Sequence, residues 1–183
     1  MAVNNVLKDK LGNIFNPKIP RYEKLADYTL ESGSNEIVIS NLNIKPGATF
    51  EMMIDGTSTT ANAEVVNVGC YPNEKGAYDI SRVVGFENNA RNINSVYNVS
   101  TPNMYLGRVV RGNQFIINST FNWNGTYLKN LSFYATPGIA DYFVVGNLCA
   151  MVSFSDETLT SIRITIASGQ FVAGTRVKIY GKV

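Results

Sequence analysis

The sequence contains no histidine. That absence removes serine–histidine triads, imidazole proton shuttles and histidine-ligated metal sites together. Cysteine is nearly absent too. Cys70 and Cys149 are the two present in 183 residues, too few for a four-cysteine zinc site or a disulfide framework. Charge is sparse, at 16% of residues with a net of +2, and beyond the first ~24 residues, whose Lys and Arg could touch phosphate, there is no basic stripe for nucleic acid. No run approaches the ~18 apolar residues of a membrane span. The longest apolar stretch, around Tyr142 to Val145, is broken by Gly146 and Asn147. The opening ten residues lack the apolar core of a secretory signal, so the expectation is a chain folded in a cytosol, with no membrane insertion. With 45% hydrophobic residues the protein is nonetheless too apolar to be disordered throughout. These gaps argue against most enzymes and leave a binding or structural protein.

Motifs for chemistry are missing as well. There is no Gly-x-Ser-x-Gly elbow, no Ser-x-x-Lys nucleophile and no phosphate-cradling Gly-x-x-x-x-Gly-Lys loop. Asp141, Asp156 and Glu157 fall in expected loops, and Glu51 and Asp55 on the polar face of one expected strand. A glycosidase needs two carboxyls converging within about 5 to 10 Å, and nothing in this spacing enforces that. Loop Asp and Asn oxygens suit calcium, yet no Asp-x-Asp/Asn-x-Asp/Asn-Gly loop is present. No catalytic residue, metal ligand or cofactor is assigned. The flanks of Cys70 and Cys149 are apolar or small, which predicts two buried, reduced thiols. Sequons at Asn98, Asn118, Asn124 and Asn130 read as by-products of an Asn-rich composition.

What is present divides at about residue 24. Lys8, Lys10, Lys18, Arg21 and Lys24 stand against Asp9 and Glu23, giving +3 and leaving −1 for the rest. Asn16-Pro17 and Ile19-Pro20 fix φ at two nearby points and extend the residues before them. With Gly12-Asn13 as a turn signal, residues 1–24 read as an extended basic arm carrying the apolar studs Val6, Leu11, Ile14, Phe15 and Ile19. Such studs gain little in water. The expectation is that the arm docks onto another chain through Leu11, Ile14, Phe15, Asn16, Pro17, Lys18, Ile19, Pro20 and Arg21.

From about Tyr28 the pattern has period 2. Phe50, Met52 and Ile54 share one face of a strand, opposite Glu51, Met53 and Asp55, and Ile162, Ile164 and Ile166 alternate with Arg163 and Thr165. Glu36–Ser40, Ala63–Cys70, Tyr78–Gly85, Met104–Val110, Tyr142–Phe154 and Gly174–Tyr180 add further short runs, about nine strands in all; in the last, Gly174 permits a tight bend, with Val177 and Ile179 facing inward and Arg176 and Lys178 outward. Within Asn113–Ala135, Trp123-Asn124-Gly125-Thr126 suggests a type I′ hairpin pairing Trp123 with Thr126 and Phe121 with Leu128. No window of ~12 residues carries a helical repeat. Residues 25–183 therefore read as an all-β domain, a β-sandwich of jelly-roll type, with the Asn-rich stretch Phe86 to Val99 as a long loop. Tyr105, Trp123, Tyr127 and Tyr134 either fill the core and a protein interface or form a sugar-stacking platform beside Asn124. Under the second reading Trp123, Asn124 and Tyr127 bind ligand.

Two segments carry a resemblance. Asp9-Lys-Leu-Gly-Asn-Ile-Phe-Asn-Pro-Lys-Ile-Pro-Arg-Tyr22 resembles the opening of virion fibre and tail proteins from phages of Gram-positive bacteria. Gly169-Gln-Phe-Val-Ala-Gly-Thr-Arg-Val-Lys-Ile-Tyr-Gly181 is similar to the terminal strand pair of jelly-roll domains in such proteins. The resemblance implies a virion component, assembled in the host cytoplasm and commonly a homotrimer, whose N-terminal part attaches to other virion proteins. The β domain would then project from a tail, baseplate or capsid surface, as a structural head, a capsid-decorating fibre or a head that binds a host-surface glycan.

Overall fold

The computed structural model describes residues 7–8, 14–15, 22–59, 65–74, 83–89, 92–98, 103–110, 112–137 and 143–182. Its side chains are described within 22–59, 65–74, 103–110, 112–137 and 144–181. Among these residues there are strands, turns and bends, and no helix. Strands β1 (Leu7–Lys8) and β2 (Ile14–Phe15) pair with each other, Leu7 opposite Phe15. Leu11 and the 16–21 portion of the expected arm lie outside the described residues.

Among the described residues the body has twelve strands: β3 (Tyr22–Thr29), β4 (Glu36–Ile39), β5 (Thr49–Thr57), β6 (Val65–Pro72), β7 (Val83–Asn89), β8 (Asn92–Asn98), β9 (Met104–Val110), β10 (Gln114–Trp123), β11 (Tyr127–Pro137), β12 (Phe143–Ser153), β13 (Ile162–Ile166) and β14 (Arg176–Lys182). They form two antiparallel sheets. The larger has the order β3-β14-β5-β10-β11-β12-β7-β8, the smaller β4-β13-β6-β9. Setting aside the β7–β8 and β11–β12 pairs, the remaining eight strands can be counted one to eight along the chain. The large sheet then runs 1-8-3-6 and the small one 2-7-4-5. That is the double Greek key of a jelly roll. The two extra pairs widen the large sheet beyond β10.

Alternation explains the layering. In β10 every second residue from Phe115 to Trp123 is buried, and in β13 Ile162, Ile164 and Ile166 are. In β14 Val177 and Ile179 point inward, as expected, after a bend at Gly174 with φ +90°, a conformation glycine adopts without a Cβ penalty. The core between the sheets joins Phe50 and Phe121, stacked 4.7 Å apart, to Ile37, Val68, Met104 and Leu106 of the small sheet. β9 lies across β10, β11 and β12.

Three local expectations change. Tyr22–Lys24 lie in β3 and so belong to the body rather than to the arm. Most of the expected Phe86 to Val99 loop is strand: its described residues belong to the paired strands β7 and β8, with Asn89 opposite Asn92, while residues 90, 91 and 99 lie outside the described residues. Polar composition hid strands whose backbone pairs regardless of side chain. The Asn-Gly hairpin also differs, because Trp123 pairs with Leu128 and Phe121 with Asn130. A type I′ turn needs φ > 0 at both central residues. Here Gly125 has φ +91° but Asn124 does not, because its Oδ1 accepts from the N–H groups of Thr126 and Tyr127. The connection lengthens to residues 124–127, and a shift of two leaves every side chain on its original face.

β3 hangs on the rim of the sandwich, exposed or half-exposed along its whole length. Arg176 of β14 grips it through a two-pronged ion pair, Nε and Nη2 donating to the two Asp27 carboxylate oxygens at 2.8 Å. The Arg176 guanidinium holds the Asp27 carboxyl well below the usual carboxylate range. A depressed folded pKa contributes stability above the unfolded pKa, about 3.9 for Asp, and loses it as pH falls towards the folded value. Asp27→Asn is therefore expected to lower the urea midpoint modestly at pH 7, with the gap to the parent narrowing below about pH 4. A gap that stays constant from pH 7 to pH 2.5 would count against the pair.

Candidate functional site

The aromatic platform does not form. Trp123 and Tyr134 are both 0% exposed. The Trp123 indole N–H donates to the Phe154 carbonyl at 3.1 Å, and its ring tilts against Phe154 at 5.0 Å. Asn124 is exposed, but its side chain is spent on capping its own turn, and Tyr127 and Tyr105 are half-buried. Trp123 and Tyr134 are core residues, so Trp123, Asn124 and Tyr127 do not present a shared stacking surface. At the end of β10, a Trp on the inward parity closes the sandwich.

The Asn-rich composition does structural work instead. Asn130 is buried in the core: Nδ2 donates to the Tyr105 carbonyl and to Ser132 Oγ, while Oδ1 accepts from the Ala150 N–H. Ser132 Oγ continues to Ser119 Oγ at 2.7 Å, so a short polar chain runs between β9, β10 and β11. Burial excludes the Asn130 sequon as a glycan site. Asn73, at φ +46°, accepts from the Thr160 and Ser161 N–H groups and donates to Asp156 and the Thr158 carbonyl, pinning the loop before β13.

The two cysteines part company. Cys70 is buried, and burial pushes its thiol up to about 12, which makes it inert. Cys149 is exposed, against expectation, on the outer face of β12. It sits opposite Leu131 of β11, and Leu131 is 61% exposed.

That neighbourhood is the most unusual surface in the described structure. β11 turns Asn130, Ser132 and Thr136 inward and Leu131 and Phe133 outward, the reverse of ordinary patterning. Inward-facing Trp123, Leu128 and Tyr134 hold this parity, together with the Asn130–Ser132–Ser119 chain. A one-residue slip of β11 would bury Leu131 and Phe133, worth about 1.5–3 kcal/mol each, but would eject Leu128 and Tyr134 and break the Asn130 hydrogen bonds. Phe133 is 46% exposed and Ile116 of β10 44%. Across the outer face, the row Ile116–Ala135–Val145 lies beside Asn118–Phe133–Asn147 and Thr120–Leu131–Cys149.

Charge divides this face in two. Outward residues of β3, β14 and β5 include Asp27, Arg176, Lys178, Glu51 and Asp55, whereas among those of β10, β11 and β12 only Lys129 is charged. Two clefts mark the seam. One of 390 Å³ is bounded by Asp55, Ile116, Ala135 and Pro137, and one of 160 Å³ by Glu51, Met53, Asn118 and Tyr180. Glu51 and Asp55 are solvated on this face, and among the described residues no three Cys, Asp or Glu side chains group as metal ligands.

No family model matches the chain, and no curated protein matches it. Among solved structures it is similar to peanut lectin in complex with a nine-residue peptide, at 11% identity over 92% of this chain and 94% of that one, with a TM-score of 0.26.

Proposed function

We propose that this chain is a non-enzymatic structural protein of a phage virion, a tail or fibre component. It joins the particle through the segment before Tyr22 and presents its jelly roll as the head of a homotrimer. The observation that carries the reading is where the chain enters the sandwich. Tyr22 lies in the rim strand of the large sheet, which pairs with β14 on one side and has no partner strand on the other among the described residues. An edge is where a segment can pass to a neighbour, and an unpaired strand edge is itself a docking element. The C-terminal segment that resembles fibre domains is β14 and the turn before it, locked between β3 and β5. That leaves the N-terminal leader as the attachment element. The glycan-binding alternative has lost its stacking ring, since Trp123 is sealed in the core. A capsid-decorating fibre would use the same parts at a different station, and imaging of labelled particles separates the two.

The test is deletion of residues 1–21, which spares β3. The truncated protein is expected to keep the parent's far-UV circular dichroism and cooperative unfolding while failing to enter particles. Normal incorporation, or an unfolded product, would refute the docking role.

A further inference from the structure

We infer that the charge-poor half of the outer sheet face, β10–β11–β12 centred on Leu131 and Phe133, is the surface through which copies of this chain pack against one another. The inference rests on the homo-oligomer proposed above but not on its place in a virion. Three observations meet here. β11 exposes Leu131 and Phe133 while burying Asn130 and Ser132, an inversion that makes sense when the outward side chains are also destined for burial. Lys129 is the single charge among the outward residues of three long strands, and depletion of charge is what marks the centre of protein interfaces. The adjoining half, from β5 outward, is densely charged and suits a solvated rim.

The occupant is argued from charge and size. A strip almost free of charge, apolar at its centre and polar but uncharged along β10, meets no like-charge repulsion from its own copy, so a rotation axis near β11 would bring each strip against its own copies. Packed sheets lie about 10 Å apart, so each sheet stands about 5 Å from a shared axis. Three sheets enclosing a threefold axis at that distance form a triangular prism with sides about 17 Å wide. Three strands spaced about 4.8 Å apart span about 14 Å, close to that width. With strands about 33 Å long, the strip offers roughly 500 Å² of plane before side-chain relief is added. A standard interface takes about 800 Å² of accessible surface per partner. Cys149, beside Leu131, would be covered in the assembly.

The full-length chain tests this directly. Sedimentation velocity on the parent at about 10 µM should give a trimer, and the double variant Leu131→Lys/Phe133→Lys should raise the dissociation midpoint at least ~100-fold, to monomer, with an unchanged circular dichroism spectrum. Both positions are on the surface, so the fold should survive. Maleimide should modify Cys149 slowly in the parent and rapidly in the double variant. A parent that is monomeric at about 100 µM, a double variant with the parent's mass, or equal Cys149 reactivity in both would overturn the proposal. A dimer that falls apart on the same substitutions upholds the face and refutes the threefold count. Particle incorporation is read separately, so the virion assignment can fail while this interface stands.

Discussion

Trp123→Ala is expected to destabilise the fold by about 3–5 kcal/mol, the range for emptying a large aromatic site in a packed core. Trp123 is fully buried, and it does more than fill volume. Its N–H accounts for the Phe154 carbonyl, its backbone N–H donates to the Ala48 carbonyl, and its own carbonyl accepts from Gly47. Losing the indole therefore leaves a cavity and an unsatisfied buried carbonyl at the same end of the sandwich. Trp123→Phe should cost less, since it keeps most of the ring and loses chiefly the hydrogen bond. Because Trp123 is the single tryptophan, unfolding of the variants must be followed by circular dichroism at fixed protein concentration. A loss below about 1 kcal/mol for the alanine variant would show that the end of the core collapses around the gap.

The second large effect concerns Gly146. On β12 it pairs with Tyr134, whose hydroxyl end lies against it, while Gly107 of the opposing sheet lies over the Tyr134 Cβ. A Cβ at Gly146 would come within 2.8 Å of the Tyr134 Cε1 and closer still to Cζ and the hydroxyl. The ring cannot swing away, because Tyr134 is fully buried and its root is held by Gly107. Gly146→Ala should cost roughly 1–3 kcal/mol or more through overpacking. Tyr134→Ala should cost about 3–5 kcal/mol by the cavity argument. If the clash is the cause, the double variant will be less destabilised than the two single losses added, by about 0.5 kcal/mol or more. Strict additivity would point to some other origin for the Gly146 effect.

Much of the architecture was legible from residues alone. Alternation marked β5, β13 and β14 with the correct inward residues, because in each of them one parity is plainly the more apolar. Gly174 announced the bend before the last strand. Two elements escaped. β3 has no buried face to imprint a pattern, and of β7–β8 the expected run Tyr78–Gly85 reached only the first residues, because Asn and Glu from Glu87 onward broke the apolar pattern. Strands β3 and β7 exist through backbone pairing with β14 and β12, distant in sequence, and β8 by pairing with β7, none of which composition encodes. The candidate ligand residues failed for a related reason. Trp123 next to an Asn-Gly turn has the same local sequence whether its ring faces solvent or core.

The chain's own residues determined that chemistry dependent on imidazole is closed to it, that its body is strand, and which face of the regular strands is apolar. Tertiary structure decided the rest. In β11 both parities carry large apolar side chains, Leu128 and Tyr134 on one and Leu131 and Phe133 on the other. Period 2 separates those two sets but cannot say which goes inward. The choice was made by partners far along the chain: Gly107 and Gly146 leave room for the Tyr134 ring, and the Tyr105 carbonyl and Ala150 N–H receive Asn130. Leu131, Phe133 and Cys149 face outward because the space opposite was already matched to other side chains.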